Sequence, residues 1–326
     1  MMYVQVTVGF VLLLGGAEVL VRGAAAVARR FGVSPLVIGM TVVAFGTSAP
    51  ELVVSLDAAI SGAPDIAVGN IVGSNIANLL LIMGTTVLLS PIDGRSRPLI
   101  HDTTILVISS ILFAGLVWSG TIGRTAGVVM VAMLLGFLGS SYWREVRGLG
   151  DSAADSLREE AEEIEGIPGA PWLAWLAVAG GLAGIIFGAD MLVEGGVAVA
   201  RAAGISETVI GLTLIAVGTS LPELAASVVA AIRGHSDIAI GNVVGSNLFN
   251  ILGVGGTVAL VTPLTVAEQI RTFDIWVMLV ATAAFLPFLI FGLRLSRPVG
   301  VAFLVVYGAY IALLVLGPAN LSARVG

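Results

Sequence analysis

The sequence contains no cysteine, no lysine and only two histidines. Without cysteine there is no disulfide framework, no thiolate metal site and no cysteine nucleophile. His101 and His235 fit no zinc-binding spacing, and we interpret both as surface residues near loops. The G-x-S-x-G and H-E-x-x-H motifs of hydrolases are also missing. We therefore expect a protein that is not an enzyme, has no catalytic residues and needs no cofactor.

Charge is scarce too. Only 11% of the 326 residues are charged and 57% are hydrophobic, with a mean hydropathy of +1.06. Soluble globular domains carry about 25% charged residues. This composition predicts a membrane protein whose partner is the lipid bilayer, and it gives no indication of nucleic-acid binding.

Ten apolar runs are long enough to cross a hydrocarbon core of about 30 Å as helices. Strict alternation over segments of about ten residues, the pattern of a membrane β-barrel, does not occur. The sequence predicts an all-α protein with ten transmembrane helices, and we interpret the first run as a retained span rather than a signal peptide. The runs cover residues 3–28, 33–61, 66–90, 103–120, 124–143, 172–200, 205–232, 238–262, 273–292 and 298–317.

The arginines indicate how the chain is oriented. With ten alternating spans, eleven of the fifteen arginines fall on one side of the membrane and four on the other. We expect the protein to lie in the cell membrane, either an inner or a plasma membrane. Short cytoplasmic loops collect positive charge, so this asymmetry predicts that the N- and C-termini both lie on the outer side.

One long polar connection, 144–171, carries eight acidic residues and three arginines. We interpret it as an acidic cytoplasmic linker, and a regulatory cation sensor is the alternative. It has no EF-hand spacing.

The chain repeats itself. Residues 39–78 align without a gap to 211–250, with 24 of the 40 positions identical and a constant offset of 172 residues. Each copy holds five predicted spans, and an odd number forces the second copy to enter the membrane from the opposite side. The sequence thus predicts two inverted five-helix repeats, 1–143 and 172–326.

Both copies read G-T-S-x-P-E and then G-N-x-x-G-S-N-x-x-N. Pro50 has no amide to bond the carbonyl of Gly46, so the helix must bend or open there, and Pro222 does the same in the second copy. Backbone carbonyls around Ala44 and Ala216 can then turn toward a bound cation, which is tolerated at membrane depth where the backbone lines a cavity.

Polar side chains recur on the helical faces around each break. Two hydroxyls precede each motif glutamate by four and three residues, and a polar stripe follows in the next span at intervals of four. Such oxygens suit Ca²⁺, Na⁺ or Mg²⁺. A lone Ser or Thr often bonds its own backbone, and a lone Asn often joins helices, so packing is the alternative. The stripes are Asn70, Ser74 and Asn78, and Asn242, Ser246 and Asn250.

The repeated glutamates, Glu51 and Glu223, favour function over packing. A charge at the centre of a membrane helix costs about 2.5–3.5 kcal/mol on insertion scales and marks a functional site by default. Asp57 has a valine as its repeat partner and is interpreted as peripheral. Glu18 and Asp190 are acidic in both copies, but we do not expect them to be ligands.

At these motifs the sequence resembles the calcium/cation antiporter superfamily, specifically sodium/calcium exchangers of the prokaryotic ten-helix type. The resemblance covers nearly the whole chain. It implies a cluster of cation sites between the second, third, seventh and eighth helices. The implied ligands are Thr47, Ser48, Glu51, Ser74, Asn78, Thr219, Ser220, Glu223, Ser246 and Asn250, with the carbonyls of Ala44 and Ala216.

The resemblance implies alternating access, with the first and sixth helices sliding against a fixed core and about three Na⁺ exchanged per Ca²⁺, so that transport is electrogenic. Ca²⁺ and Na⁺ would bind as substrates. With asparagine at both 78 and 250, the sequence resembles the potassium-independent exchangers of the superfamily. An H⁺/Ca²⁺ antiporter is the second interpretation, and a channel or a scaffold are further alternatives. A monomer is the simplest assembly consistent with the sequence.

Overall fold

The computed structural model describes residues 2–93, 99–146, 171–203 and 218–316. Two short strands, β1 Thr121–Ile122 and β2 Leu264–Thr265, pair antiparallel, and the rest is helices and connections. The helices are α1 Met2–Phe31, α2 Pro35–Thr47, α3 Ala49–Ile60, α4 Pro64–Leu89, α5 Ile100–Trp118, α6 Arg124–Val146, α7 Pro171–Ala202, α8 Leu221–Ile232, α9 Ser236–Val261, α10 Ile270–Ile290 and α11 Arg297–Leu316.

The predicted all-α membrane fold is confirmed. Within the described ranges, eight helices are long and apolar enough to span a membrane, or nine if α2 and α3 form one bent span. The predicted run 205–232 is described only in its second part, as α8. Residues 204–217, with Ala216, and most of the predicted linker 144–171 lie outside the described residues. The tenth span and the linker therefore stay predictions.

Two backbone pairings show that the repeats are inverted. Ile92, just after α4, pairs with Leu295, which follows α10. Strand β1, just after α5, pairs with β2, which follows α9. The 172-residue offset makes α9 the copy of α4 and α10 the copy of α5. Because consecutive spans end on opposite faces, α4 and its copy α9 end on opposite faces, and so do α5 and α10.

Each repeated proline restarts a helix as the sequence predicts. Before Pro50, α2 ends at Thr47, Ser48 takes φ −87° and ψ 7°, and α3 continues at an angle of 42°. Before Pro222, Ser220 takes nearly the same angles, φ −89° and ψ 2°, and α8 begins at Leu221. The proline ring cannot donate to the preceding turn, so the chain leaves the helix for one residue and then resumes it.

The helices with the polar stripes form the centre of the bundle. In the spanning windows of α4 and α9, 72% and 89% of the residues are buried, more than in any other described span. Both contain π-helical stretches, Asn78–Ile82 in α4 and Phe249–Gly255 in α9. Such stretches occur frequently at functional sites in helical proteins.

Helices α1 and α7 pack antiparallel with their backbones almost in contact. Glycines recur every seven residues on each, at 9, 16 and 23 and at the repeat positions 181, 188 and 195. A Cβ on Gly16 would lie 2.6 Å from the amide nitrogen of Ile185, and one on Gly9 would lie 2.7 Å from that of Leu192. Small residues allow membrane helices this close approach.

The histidine interpretation is wrong for His235. It lies between α8 and α9, where its amide bonds the carbonyl of Ala230 at 2.8 Å, and it is only 8% exposed. Burial, reinforced by the Arg29 cation and opposed by the Glu18 carboxylate, lowers the pKa of His235. The tight turn that joins the two helices places the ring near Arg29 and Glu18 of α1. The sequence pattern could not indicate this burial.

A methyl group placed between α1 and α7 should separate them. We expect Gly16→Ala to lower the free energy of unfolding by about 1–3 kcal/mol, because its Cβ would overlap the α7 backbone. Gly15→Ala is the matched control, since a Cβ there meets no atom of a neighbouring helix within 4 Å and alanine favours the helix. Thermal unfolding of the purified protein in detergent measures both. Equal losses in the two variants would contradict the close packing.

Candidate cation site

The two motif glutamates lie side by side in the interior. Glu51 and Glu223 are each 1% exposed, and their carboxylates are close enough to repel each other. Ser48, one turn before Glu51, donates from Oγ to Glu223 Oε1 at 2.8 Å and so joins the two repeats. Each glutamate stands in the first turn of its helix, α3 or α8, where the positive end of the helix dipole stabilises a carboxylate.

Motif hydroxyls surround the carboxylates. Thr47 and Ser48 are completely buried, Ser220 is buried and Thr219 is half-buried. Thr47 Oγ1 lies 3.2 Å from Asn242 Oδ1 in the opposite repeat and 3.4 Å from the carbonyl oxygen of Ala44. The back-bonding expected of a lone threonine is therefore present, but it is the longer of the two contacts.

The stripe residues Ser74, Asn78, Ser246 and Asn250 are all buried. Among the described residues, four oxygen atoms in this region have no hydrogen-bond partner: Glu51 Oε2, Glu223 Oε2, Ser246 Oγ and Asn250 Oδ1. Buried polar atoms are normally paired, so a group of unpaired oxygens beside two carboxylates is a deficit that a cation would correct.

Asn70 and Asn242 fasten each glutamate helix to the neighbouring stripe helix. Asn70 Nδ2 donates to the carbonyl of Glu51 at 3.3 Å and to Ser55 Oγ at 2.9 Å. Asn242 Nδ2 makes the equivalent contacts with Glu223 and Ser227 at the same two distances. The sequence placed both asparagines in the stripes but gave them no such role; their repetition with Ser55 and Ser227 was the available signal.

Asn75 and Asn247 were not predicted as site residues. Asn78 Nδ2 donates to Asn247 Oδ1 at 3.1 Å, which joins α4 to α9 at the centre of the bundle. Asn75, the repeat equivalent of Asn247, donates to the carbonyl of Ile71 in its own helix at 2.7 Å. Their invariance between the two G-S-N motifs was the only sequence signal.

The acidic residues judged peripheral lie apart from this cluster. Asp57 and Asp190 are exposed. Glu18 accepts from Arg22 Nε at 2.6 Å and from Arg233 Nε at 2.7 Å, so both of its oxygens are engaged by guanidinium groups. That none of the three is a ligand stays a prediction.

The chemistry of the cluster suits a hard cation. Among the described residues, no three His, Cys, Asp or Glu side chains come together as a metal-binding group. The site instead combines two carboxylates with hydroxyl and carboxamide oxygens, the ligand types of Ca²⁺ and Na⁺ rather than of zinc or copper. Two adjacent buried carboxylates also repel each other, and a bound cation would relieve that repulsion.

Comparison with known proteins gives consistent matches. Residues 1–143 and 173–316 match the family described as sodium/calcium exchanger protein. The chain is 37% identical over 336 residues to the sodium/calcium exchanger MaX1 of Methanosarcina acetivorans, covering 94% of this chain and 96% of MaX1. It is 35% identical over 280 residues to the inner membrane protein YrbG of Escherichia coli, covering 85% of each. A solved structure of the sodium-calcium exchanger NCX_Mj, soaked with Na⁺ and Sr²⁺, matches with a TM-score of 0.80 at 32% identity, covering 95% of this chain and 97% of that chain.

Removing an asparagine that fastens a glutamate helix should weaken the fold. We expect Asn242→Ala to lower the free energy of unfolding by about 1–3 kcal/mol, because Ser227 and Thr47 lose a buried partner. Thr104→Ala is the control, since its exposed hydroxyl bonds only a carbonyl of its own helix. Unfolding in mixtures of SDS and mild detergent compares the two. Equal stability of both variants would contradict this role for Asn242.

Proposed function

The chain belongs to the sodium/calcium exchanger protein family, and on that premise we propose that it exchanges Na⁺ for Ca²⁺ across the cell membrane by alternating access. The observation that carries the proposal is the pair of buried carboxylates, Glu51 and Glu223, one from each inverted repeat, beside oxygens that lack partners. In transporters built from inverted repeats, substrates bind near the midplane where interrupted helices of the two copies meet.

Charge balance supports exchange of Ca²⁺ against more than two Na⁺. One Ca²⁺ neutralises the two glutamates, whereas about three Na⁺ would leave one net positive charge on the occupied site. Transport in that ratio moves charge across the membrane, and the membrane potential then acts with about 2.3 kcal/mol per 100 mV on each charge moved.

The same carboxylates supply a reason for obligatory exchange. Without a cation, two neighbouring negative charges would have to remain in a poorly hydrated interior while the protein changes conformation. That cost disfavours reorientation of an empty site, so a cation leaving on one side has to be replaced before the cycle continues.

The proposed ligands divide by their chemistry. Glu51 and Glu223 supply the charge, and neutral oxygens complete the coordination shell. Asparagine at both 78 and 250 adds no further carboxylate, which supports a K⁺-independent cycle. The neutral ligands proposed are Thr47, Ser48, Ser74, Asn78, Thr219, Ser220, Ser246 and Asn250, with the backbone carbonyls of Ala44 and Ala216.

We propose that α1 and α7, the first and sixth predicted spans, slide against a fixed core, and the packing of these two helices supports this motion. Their glycine contacts bring backbone against backbone, so the pair is suited to move as one unit. The arginine distribution supports both termini outside the cell. Because one chain carries both repeats, the functional unit that we propose is a monomer.

The coupling ion can be tested directly by ⁴⁵Ca²⁺ uptake into vesicles that contain the purified protein. We expect rapid uptake only when the vesicles are loaded with Na⁺, because an outward Na⁺ gradient drives Ca²⁺ inward. Parallel vesicles are loaded with K⁺, choline or acid. Uptake driven by internal acid would replace Na⁺ by H⁺ as the coupling ion, and Ca²⁺ leakage without any counter-ion gradient would indicate a channel.

Neutralising either glutamate should abolish Ca²⁺ binding. Glu51→Gln and Glu223→Gln keep the side-chain shape but remove a negative charge. Removing one partner of a buried pair of opposite charges, here the carboxylate that faces Ca²⁺, costs about 3–5 kcal/mol, or more than about 100-fold in affinity. Asp57→Asn, at an exposed carboxylate, is the matched control and should bind normally. Equilibrium binding of ⁴⁵Ca²⁺ in detergent measures all three. Unchanged Ca²⁺ binding by the glutamine variants would contradict the proposal and indicate that the cluster is only a structural scaffold.

A further inference from the structure

An apolar groove opens on the side of the bundle between α7 and the helices α2, α6 and α9. Its volume is about 580 Å³, within the range of about 300–1,000 Å³ that is usual for small-ligand sites. Of the residues that line it, only Thr41 and Trp175 have a nitrogen or oxygen atom in the side chain. Thr41 Oγ1 already donates to the carbonyl of Val37 at 2.6 Å. The lining therefore favours a hydrocarbon occupant over water or an ion.

The length of the groove matches the thickness of one lipid leaflet. Its wall on α7 runs from Trp175 to Ile186, which at a rise of 1.5 Å per residue is about 16 Å. Half of a hydrocarbon core of about 30 Å is about 15 Å. An acyl chain that extends from the headgroups to the middle of the bilayer therefore has the length of this groove.

The outer end of the groove lies at the face where α7 begins. Trp175 is close to the start of α7 at Pro171, and its ring lies 6.0 Å from that of Phe31 at the end of α1. Tryptophan is enriched at the level of the lipid headgroups. The starts of α2 and α9 lie together, since a Cβ on Gly39 would be 2.7 Å from the carbonyl oxygen of Ile238. The groove thus leads from the headgroup level inward.

The inner end of the groove borders the candidate cation site. Phe45 is 60% exposed, and its ring packs edge-on against Phe249 of α9 with the centroids 4.9 Å apart. A Cβ on the next residue, Gly46, would lie 2.5 Å from Leu182 Cδ1 of α7. Thr47 follows directly. An occupant of the groove therefore lies against the segment of α2 that leads into the site.

The shape and lining of the groove disfavour a protein occupant. Spread over about 16 Å, its volume gives a mean width of about 7 Å, narrower than an α-helix with its side chains, about 10–12 Å across. This width disfavours a helix of a second copy. Residues 144–171 join α6 to α7, but they carry eight acidic side chains, which are costly to bury among apolar groups.

We propose that the groove binds one acyl chain of a membrane phospholipid from the leaflet in which α7 begins. The headgroup lies beside Trp175, the chain follows α7 past Val178 and Leu182, and its end lies against Phe45. The lipid chain then supplies the packing between α7 and this face of α2, which protein side chains leave open. Lipid binding to the groove does not depend on which ions the protein exchanges.

Photolabelling tests the site with phosphatidylcholine that carries a diazirine in the middle of one acyl chain. The lipid is titrated into the purified protein in mild detergent, and labelled peptides are identified by mass spectrometry. We expect label on residues 245–249 of α9, because these residues are buried and lipid reaches them only through the groove.

A side chain that fills the groove should weaken this labelling. Ala179→Phe places a ring in the groove, and we expect the half-saturating lipid concentration for label on 245–249 to rise about tenfold, the factor for excluding about two methylene groups. Ala302→Phe is the matched control, since Ala302 is an exposed residue of α11 outside the groove and should leave the labelling unchanged.

Label confined to exposed residues, or equal labelling of 245–249 in the wild type and Ala179→Phe, would overturn the proposal. A dimer in the native mass spectrum that Ala179→Phe dissociates would also overturn it, because the groove would then belong to a second copy. If Ala179→Phe does not fold, Ala179→Leu adds a smaller apolar group and should raise the half-saturating concentration about fourfold. Labelling uses neither Na⁺ nor Ca²⁺, so a failure of the uptake assay leaves its result unaffected.

Discussion

The repulsion between two buried carboxylates is the constraint around which the interior of this protein is arranged. Glu51 and Glu223 come from opposite repeats, and each stands in the first turn of a helix that a proline has restarted. The free amides of that turn and a serine hydroxyl from the opposite repeat stabilise the negative charge only in part. A bound cation would offset the remaining deficit, and the proposed function rests on this.

Two kinds of contact surround the glutamates, those within each repeat and those between the repeats. Within each repeat, an asparagine and a serine hold the glutamate helix against its neighbour with the same geometry in both copies. Between the repeats at the site, hydrogen bonds of the described residues join Ser48 to Glu223 and Asn78 to Asn247. A duplicated chain thus brings one carboxylate from each copy into the same buried region. The glycine-lined pair α1 and α7 lies beside this core and shares a separate hydrophobic cluster with α8.

Much of this could be predicted because the signals were local or duplicated. Proline positions predicted both helix restarts, since the missing amide acts within one turn. The offset of 172 residues predicted the inversion, and the hydropathy predicted burial of both glutamates in a helical membrane protein. The cost of an unpaired charge in lipid, which pointed to function, is likewise independent of the detailed packing. His235 was misjudged because its burial depends on the turn between two helices and on the neighbouring α1.

The sequence by itself determined the helical membrane class, the inverted duplication, the breaks at Pro50 and Pro222 and the identity of the charged pair, because each follows from composition, parity or chemistry within a single turn. Only the tertiary structure decided that Asn78 bonds Asn247 while Asn75 bonds the carbonyl of Ile71 in its own helix and the Asn250 amide has no partner among the described residues. Two copies with the same motifs are equivalent in sequence, so the direction of the contacts between them depends on how the repeats are placed relative to each other, and that is a property of the packed state alone.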